Sequence, residues 1–251
     1  MAVVNVNGLT IGKGMPKIAV PIVAKTHSAI IAAAKQAITT PLDLVEWRAD
    51  FFNQLTDPQA VADLATQLRQ ILAPHPLLVT IRTAKEGGNS AISAADYLRI
   101  YEQIITEHAA DMIDLEVLQG DGLVEKLTTT AHREGIKVVM SNHDFQQTPS
   151  ATSLLALLGK MTTLDADIVK FAVMPHTIDD LLTILTVNAH YAALPTSKPV
   201  IAIGMGPLGK IVRVGGETFG SCISFGSVGQ ASAPGQVEVD KLKMILTELH
   251  N

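Results

Sequence analysis

Short apolar runs recur about every 25 to 35 residues along this chain. They are Lys17–Val23, Leu42–Arg48, Leu77–Arg82, Asp111–Val117, Lys137–Ser141, Asp167–Val173, Pro199–Gly204 and Ser221–Phe225, eight in all. Between most of them lie segments of helical length with apolar residues near 3.6 spacing. Val61, Leu64, Ala65, Leu68, Ile71 and Leu72 mark one such segment, and Ile178, Leu181, Leu182 and Leu185 another. Asp57 followed by Pro58 reads as an N-cap and first helical residue. Ahead of the first run, alternation around Asn7-Gly8 predicts a β-hairpin within residues 1–13. Strands alternating with helices imply a parallel sheet. Eight such units in about 230 residues is the count of a (β/α)8 TIM barrel; a doubly wound open sheet is the competitor, disfavoured by the strand number. No low-complexity linker or charge block interrupts the pattern, so residues 1–251 are read as one barrel domain.

Composition narrows the partners. Charged residues make up 17% of the chain, below the usual share of about 25%. Mean hydropathy is +0.29, which fits a large buried sheet or an oligomer interface. The net charge of −5 and the absence of a basic stripe argue against nucleic acid. Apolar runs such as Ile18 to Ala24 are too short to span a bilayer, and no secretory signal pattern opens the chain, so no membrane is expected and the cytoplasm is the default compartment. The single cysteine, Cys222, builds neither a disulfide framework nor a cysteine metal site, and its apolar strand makes it a packed thiol.

In a barrel, function sits where strands end and the following loops begin. The polar residues there are Glu46, Arg48 and Asp50; Arg82 and Glu86; Asp114 and Glu116; Ser141, His143 and Asp144; Lys170; Arg213; and Ser232 with Gln236. Lys170 lies inside the apolar run Ile168–Val173 with no acid beside it in sequence. Burial of an ammonium there lowers its pKa and exposes a nucleophilic amine able to form an imine with a ketone or aldehyde. The alternative is a structural ion pair with Glu46 or Glu116. His143 ends the neighbouring strand, where it is placed to shuttle protons; the alternative is a surface histidine, as the other seven are read. Arg48, Arg82 and Arg213 on three strand ends suggest an anionic, oxygen-rich ligand; the alternative is that each pairs with a local acid, Arg48 with Glu46 for example. The glycines of 204–209 match no nucleotide fingerprint, and no histidine pair has metal-ligand spacing.

Five segments then carry a family resemblance. Glu46-Trp47-Arg48-Ala49-Asp50, Arg82-Thr83-Ala84-Lys85-Glu86-Gly87-Gly88, Ser141-Asn142-His143-Asp144-Phe145, Lys170-Phe171-Ala172-Val173-Met174-Pro175 and Ser232-Ala233-Pro234-Gly235-Gln236 resemble type I 3-dehydroquinate dehydratase, in order and over nearly the whole chain. The resemblance implies that Lys170 forms an imine with 3-dehydroquinate, that His143 moves the protons and that Glu86 orients His143. It assigns substrate binding to Glu46, Arg48, Arg82, Arg213, Ser232 and Gln236. It also implies a cytoplasmic homodimer of the shikimate route that needs no metal or cofactor. Val212 and Phe171 depart from the family, where serine and isoleucine are common; the first is expected to alter a polar contact near the carboxylate site.

Two other readings compete. A Schiff-base aldolase shares the lysine but wants a phosphate site, which the weak glycine segment does not supply. A ligand-binding barrel without turnover has no need of Lys170, His143 and Glu86 together. The segment from Val228 to Gln236, with Gly229, Pro234 and Gly235, reads as a loop cheap to move over the site.

Overall fold

A computed structural model describes residues 2–229 and 233–250. The first two strands, β1 (Val4–Val6) and β2 (Leu9–Ile11), form the antiparallel hairpin. Asn7 and Gly8 turn it with φ of 47° and 81°, the two positive angles that a type I′ turn demands.

Eight parallel strands follow in sequence order: β3 (Lys17–Ile22), β4 (Leu44–Arg48), β5 (Leu77–Thr80), β6 (Met112–Glu116), β7 (Lys137–Asp144), β8 (Ile168–Val173), β9 (Val200–Gly204) and β10 (Ile223–Ser227). Each pairs with its neighbour, β10 returns to β3, and a bridge between Val200 and Ser221 closes the ring. The Cys222 N–H donates to the Val200 carbonyl at 2.8 Å across that closure. The helices α1 (His27–Ala37), α2 (Pro58–Leu72), α3 (Ala94–Thr106), α4 (Asp121–Arg133), α5 (Ala151–Thr163), α6 (Ile178–Ala192), the short α7 (Lys210–Val214) and α8 (Gly216–Phe219), and α9 (Val239–His250) lie along the chain between and after the strands. All eight runs become strands within about two residues of their predicted limits, except that β7 continues to Asp144. A two-residue strand, β11 (Val237–Glu238), pairs with β10 and was not legible at that length.

Asp57 caps α2 as expected, accepting the N–H groups of Gln59 and Ala60 around Pro58. The apolar series Ile178, Leu181, Leu182 and Leu185 forms helix α6 as expected, but only Leu181 and Leu185 of it pack against the core. Ile178 and Leu182 are 59% and 53% exposed, and the buried face is Ile184, Val187 and Tyr191. The helix carries two apolar faces, and periodicity alone does not say which one meets the sheet.

Because side chains alternate across a strand, each strand serves two layers. Outward residues such as Val45, Val79, Ile113, Val169 and Phe171 pack under the helices. Inward residues Ala19, Leu44, Leu78, Met112, Val139, Ile168, Ile201 and Ile223 fill the lower barrel, and Val4, Val6 and Ile11 of the hairpin pack against them. At this lower end a side chain opening every second strand accepts an N–H from the strand before it. Asp43 takes Ile18 N–H at 2.7 Å, Asp111 takes Leu77 at 2.8 Å, Asp167 takes Val138 at 2.8 Å and Ser221 takes Ala202 at 3.1 Å. His132, read as solvated, is part-buried here and bonds Asp167 at 2.8 Å.

Candidate active site

Going up each strand by two residues from the inward apolar layer reaches Glu46 and Arg48, Thr80 and Arg82, Asp114 and Glu116, Ser141 and His143, and Lys170. The parity that buries the lower core therefore turns every one of these polar side chains into the upper barrel. Glu46, Arg48, Arg82, Glu86, His143, Lys170, Arg213 and Gln236 line one cavity there. Ser232 lies outside the described residues, as do two others of the 228–236 loop.

Lys170 is not the lone ammonium its sequence neighbours suggest. Its Nζ donates to Asp114 Oδ2 at 3.0 Å, lies 3.5 Å from Glu46 Oε1 and sits 4.9 Å from the centre of the Phe225 ring. Glu46 is also held by the Thr80 hydroxyl at 2.9 Å. Asp114 in turn takes Arg82 Nη2 at 2.7 Å and the Ser141 hydroxyl. Burial pushes the Asp114 carboxyl up, but Arg82 and Lys170 outweigh it and hold it at about 2. Arg82 Nη1 continues the chain to Glu116 Oε1 at 3.1 Å and Ser141 Oγ at 3.0 Å. Asp114 is named from the sequence among the strand-end residues but given no part in the site there. Its signal was present: two acids at i and i+2 in the otherwise apolar strand Met112–Glu116.

Glu86 and His143 form a second unit. Glu86 Oε2 lies 3.0 Å from His143 Nδ1 and accepts the His143 backbone N–H at 2.9 Å, while Oε1 accepts from Asn142 at 3.0 Å. Those two donors favour the ionised acid as acceptor. In its ionised form it selects the Nδ1–H tautomer and leaves Nε2 with its lone pair. Burial drives the Glu86 carboxyl up to about 7 against the pull of Arg82. Burial, with Arg82, Lys170 and Arg48 behind it, holds His143 well below its ordinary value, so the ring is neutral near pH 7. The loop that delivers Glu86 needs its glycines. Gly87 has φ of +77°, and a Cβ there would meet the Phe145 ring at 2.3 Å; one on Gly88 would meet the Arg82 carbonyl oxygen at 1.8 Å.

The three arginines differ in what they meet. Arg48 is paired twice with Asp50, at 2.7 and 2.8 Å, rather than with Glu46. Arg82 meets Glu116 through Nη1 and Asp114 through Nη2. Arg213 is 3% exposed, bonds the Pro234 carbonyl at 3.1 Å and, among the described residues, faces no carboxylate; its Nε is unpartnered. Burial lowers its pKa to about 10, so it stays cationic and is the arginine best placed to want an anion. Among the described residues no group of three or more acids, histidines or cysteines is arranged to hold a metal ion.

The family model for type I 3-dehydroquinase matches residues 18–251. The chain belongs to the type I 3-dehydroquinase family. It is accordingly a lyase. A 3-dehydroquinate dehydratase of Shigella dysenteriae is 42% identical over 250 residues, covering 100% of this chain and 99% of that protein. A type I 3-dehydroquinate dehydratase of Clostridium difficile, solved with covalently modified comenic acid, superposes with a TM-score of 0.96 at 37% identity, covering 99% and 98% of the two chains. The enzyme of Enterococcus faecalis gives 0.93 at 38% identity, covering 99% and 100%. Both departures from the family face away from the cavity. Val212 and Phe171 are buried in the outer layer between strands and helices, and Val212 offers no polar group beside Arg213.

Proposed function

We propose that this chain dehydrates 3-dehydroquinate to 3-dehydroshikimate through an imine on Lys170. The observation that carries the reading is a buried amine in the same cavity as a neutral histidine whose Nε2 is left basic by Glu86. Lys170 gives up one ammonium proton and its amine adds to the C3 ketone; the ketone oxygen then leaves as water, carrying that proton and one from the nitrogen, which gives an iminium. His143 takes a proton from C2, and the electron pair moves into the iminium to form an enamine. The enamine expels the C1 hydroxyl, which His143 protonates. Hydrolysis of the imine restores Lys170, and the net change is loss of one water. Asp114 stays ionised beside the nitrogen throughout, as the counter-charge to the iminium.

In this reading Glu86 orients His143. Arg213 takes the carboxylate, and Glu46, Arg48, Arg82, Ser232 and Gln236 hold the hydroxyls. No metal or cofactor enters, because the iminium is itself the electron sink. The family resemblance supports a single cytoplasmic catalytic domain of the shikimate route, acting as a homodimer. The uncovered apolar face of α6 supports the dimer, and among the described residues no helix is long and apolar enough to cross a membrane.

The test is covalent trapping. Borohydride added with 3-dehydroquinate should fix ligand mass on the peptide containing Lys170, and Lys170→Ala should abolish both adduct and turnover. An adduct on another lysine overturns the assignment.

A further inference from the structure

Strands β5 and β6 stay in register as far as Thr80 and Asp114. In a parallel ladder of that register the next rung joins the Ile81 N–H to the Asp114 carbonyl. A tyrosine hydroxyl occupies that rung instead. Ile81 N–H donates to Tyr101 Oη at 3.0 Å, and Tyr101 Oη donates to the Asp114 carbonyl at 2.5 Å. Two residues up β6, the Glu116 N–H donates to Tyr97 Oη at 3.1 Å. The two tyrosines stand one turn apart on α3, both buried, with ring centroids 4.8 Å apart in an edge-to-face pair. Burial keeps both phenols protonated.

A hydroxyl set between an N–H and a carbonyl lengthens the span between two backbones by about one hydrogen bond. Strand β5 therefore leaves β6 just below Arg82. It is tied back by side chains, with Thr83 N–H and Oγ1 both bonding the Glu116 carboxylate at 2.8 Å. Across this opening the Arg82 guanidinium reaches Asp114 and Glu116. Asp114 carries the wedge on its carbonyl and Lys170 on its carboxylate. We infer that Tyr97 and Tyr101 are positioning residues, whose hydroxyls hold β5 and β6 apart and so fix Arg82 and Asp114 against Lys170.

This rests on the reading of Lys170 given above. Tyr101→Phe and Tyr97→Phe keep the rings and remove only the wedge. Without the Tyr101 hydroxyl, Ile81 N–H is free to bond Asp114 directly, and Arg82 moves with it. Displacements of this kind cost up to about 100-fold in rate, so kcat of Tyr101→Phe is expected to fall at least about tenfold, with KM changed by less than about threefold. Borohydride trapping on Lys170 slows in step, and Tyr97→Phe shows a smaller loss of the same kind. A purely structural role would lower the unfolding midpoint and leave kcat alone. Two folded variants with kcat within about twofold of the parent overturn the inference; should Tyr101→Phe fail to fold, Tyr97→Phe alone decides on the same terms. A parent enzyme that neither dehydrates 3-dehydroquinate nor traps on Lys170 defeats the proposed function instead.

Discussion

At the lower end of the barrel Asp43, Asp111 and Asp167 each accept a backbone N–H, and Asp111 and Asp167 also meet a cation or histidine near the rim, whereas at the upper end Glu46, Arg82, Glu86, Asp114, Glu116 and Lys170 are folded into the interior together. Asp111 shows the first arrangement. It accepts Leu77 N–H at 2.8 Å and Arg69 at 2.6 and 3.0 Å, and Arg69 remains part-exposed. Such an acid replaces lost hydration with bonds to groups that also need partners. The upper cluster is different. Its carboxylates outnumber its cations, and one of them, Glu86, is pushed toward neutrality as a result of burial. Buried ion clusters recover their desolvation cost poorly. The same residue types are thus satisfied at the rim below and crowded together above, separated by a layer of aliphatic side chains, and the proposed function places the chemistry on the crowded set.

The comparison breaks if a change above behaves like a change below. The largest effect is expected at His143. His143→Ala should slow turnover by about 10²–10⁴-fold while leaving the Lys170 adduct obtainable and the unfolding midpoint near that of the parent. Near-parental turnover would remove His143 from the chemistry.

Asp111→Ala should do the reverse. It leaves the Leu77 N–H and Arg69 without their acceptor, which should cost about 2–3 kcal/mol in urea unfolding, with kcat per folded molecule unchanged. A large fall in kcat without loss of stability would mean that the two ends are coupled.

The smallest effect sharpens the contrast through pH. The fold favours the neutral form of Glu86 more than water does, so its contribution to stability is complete below the ordinary value of 4.5 and is lost as pH rises through about 7, where the carboxyl ionises. Glu86→Gln has no such loss. From about pH 5 to about pH 8 the difference in unfolding free energy should move in the variant's favour by about 2 kcal/mol. A difference flat with pH would show that Glu86 ionises in the fold as readily as in water.

The eight strands were legible because each is an apolar run of strand length set between helical periodicities, and burial of both faces of a parallel barrel demands such runs. The Asp57-Pro58 start of α2 was legible because a cap is settled within one turn. The hairpin was legible because Asn7-Gly8 satisfies two positive φ angles locally. Lys170, His143 and the arginines could be named from their places at strand ends. The exposed face of α6 escaped notice, since a helix with two apolar faces does not declare which one the sheet takes.

What the chain determined alone was thus local: element type, caps, turns, and the i, i+2 spacing that puts Glu46 with Arg48 and Asp114 with Glu116 on one side of a strand. Only the closed barrel decided who meets whom. Asp114 stands 56 residues from Lys170 and 32 from Arg82, and ladder register, not sequence distance, brings them within 3.0 and 2.7 Å. The same closure put Arg48 on Asp50, left Arg213 without a carboxylate among the described residues and slid two tyrosines between β5 and β6. Pairings of this kind depend on strand stagger and tilt, which are properties of the whole ring and are written in no single segment.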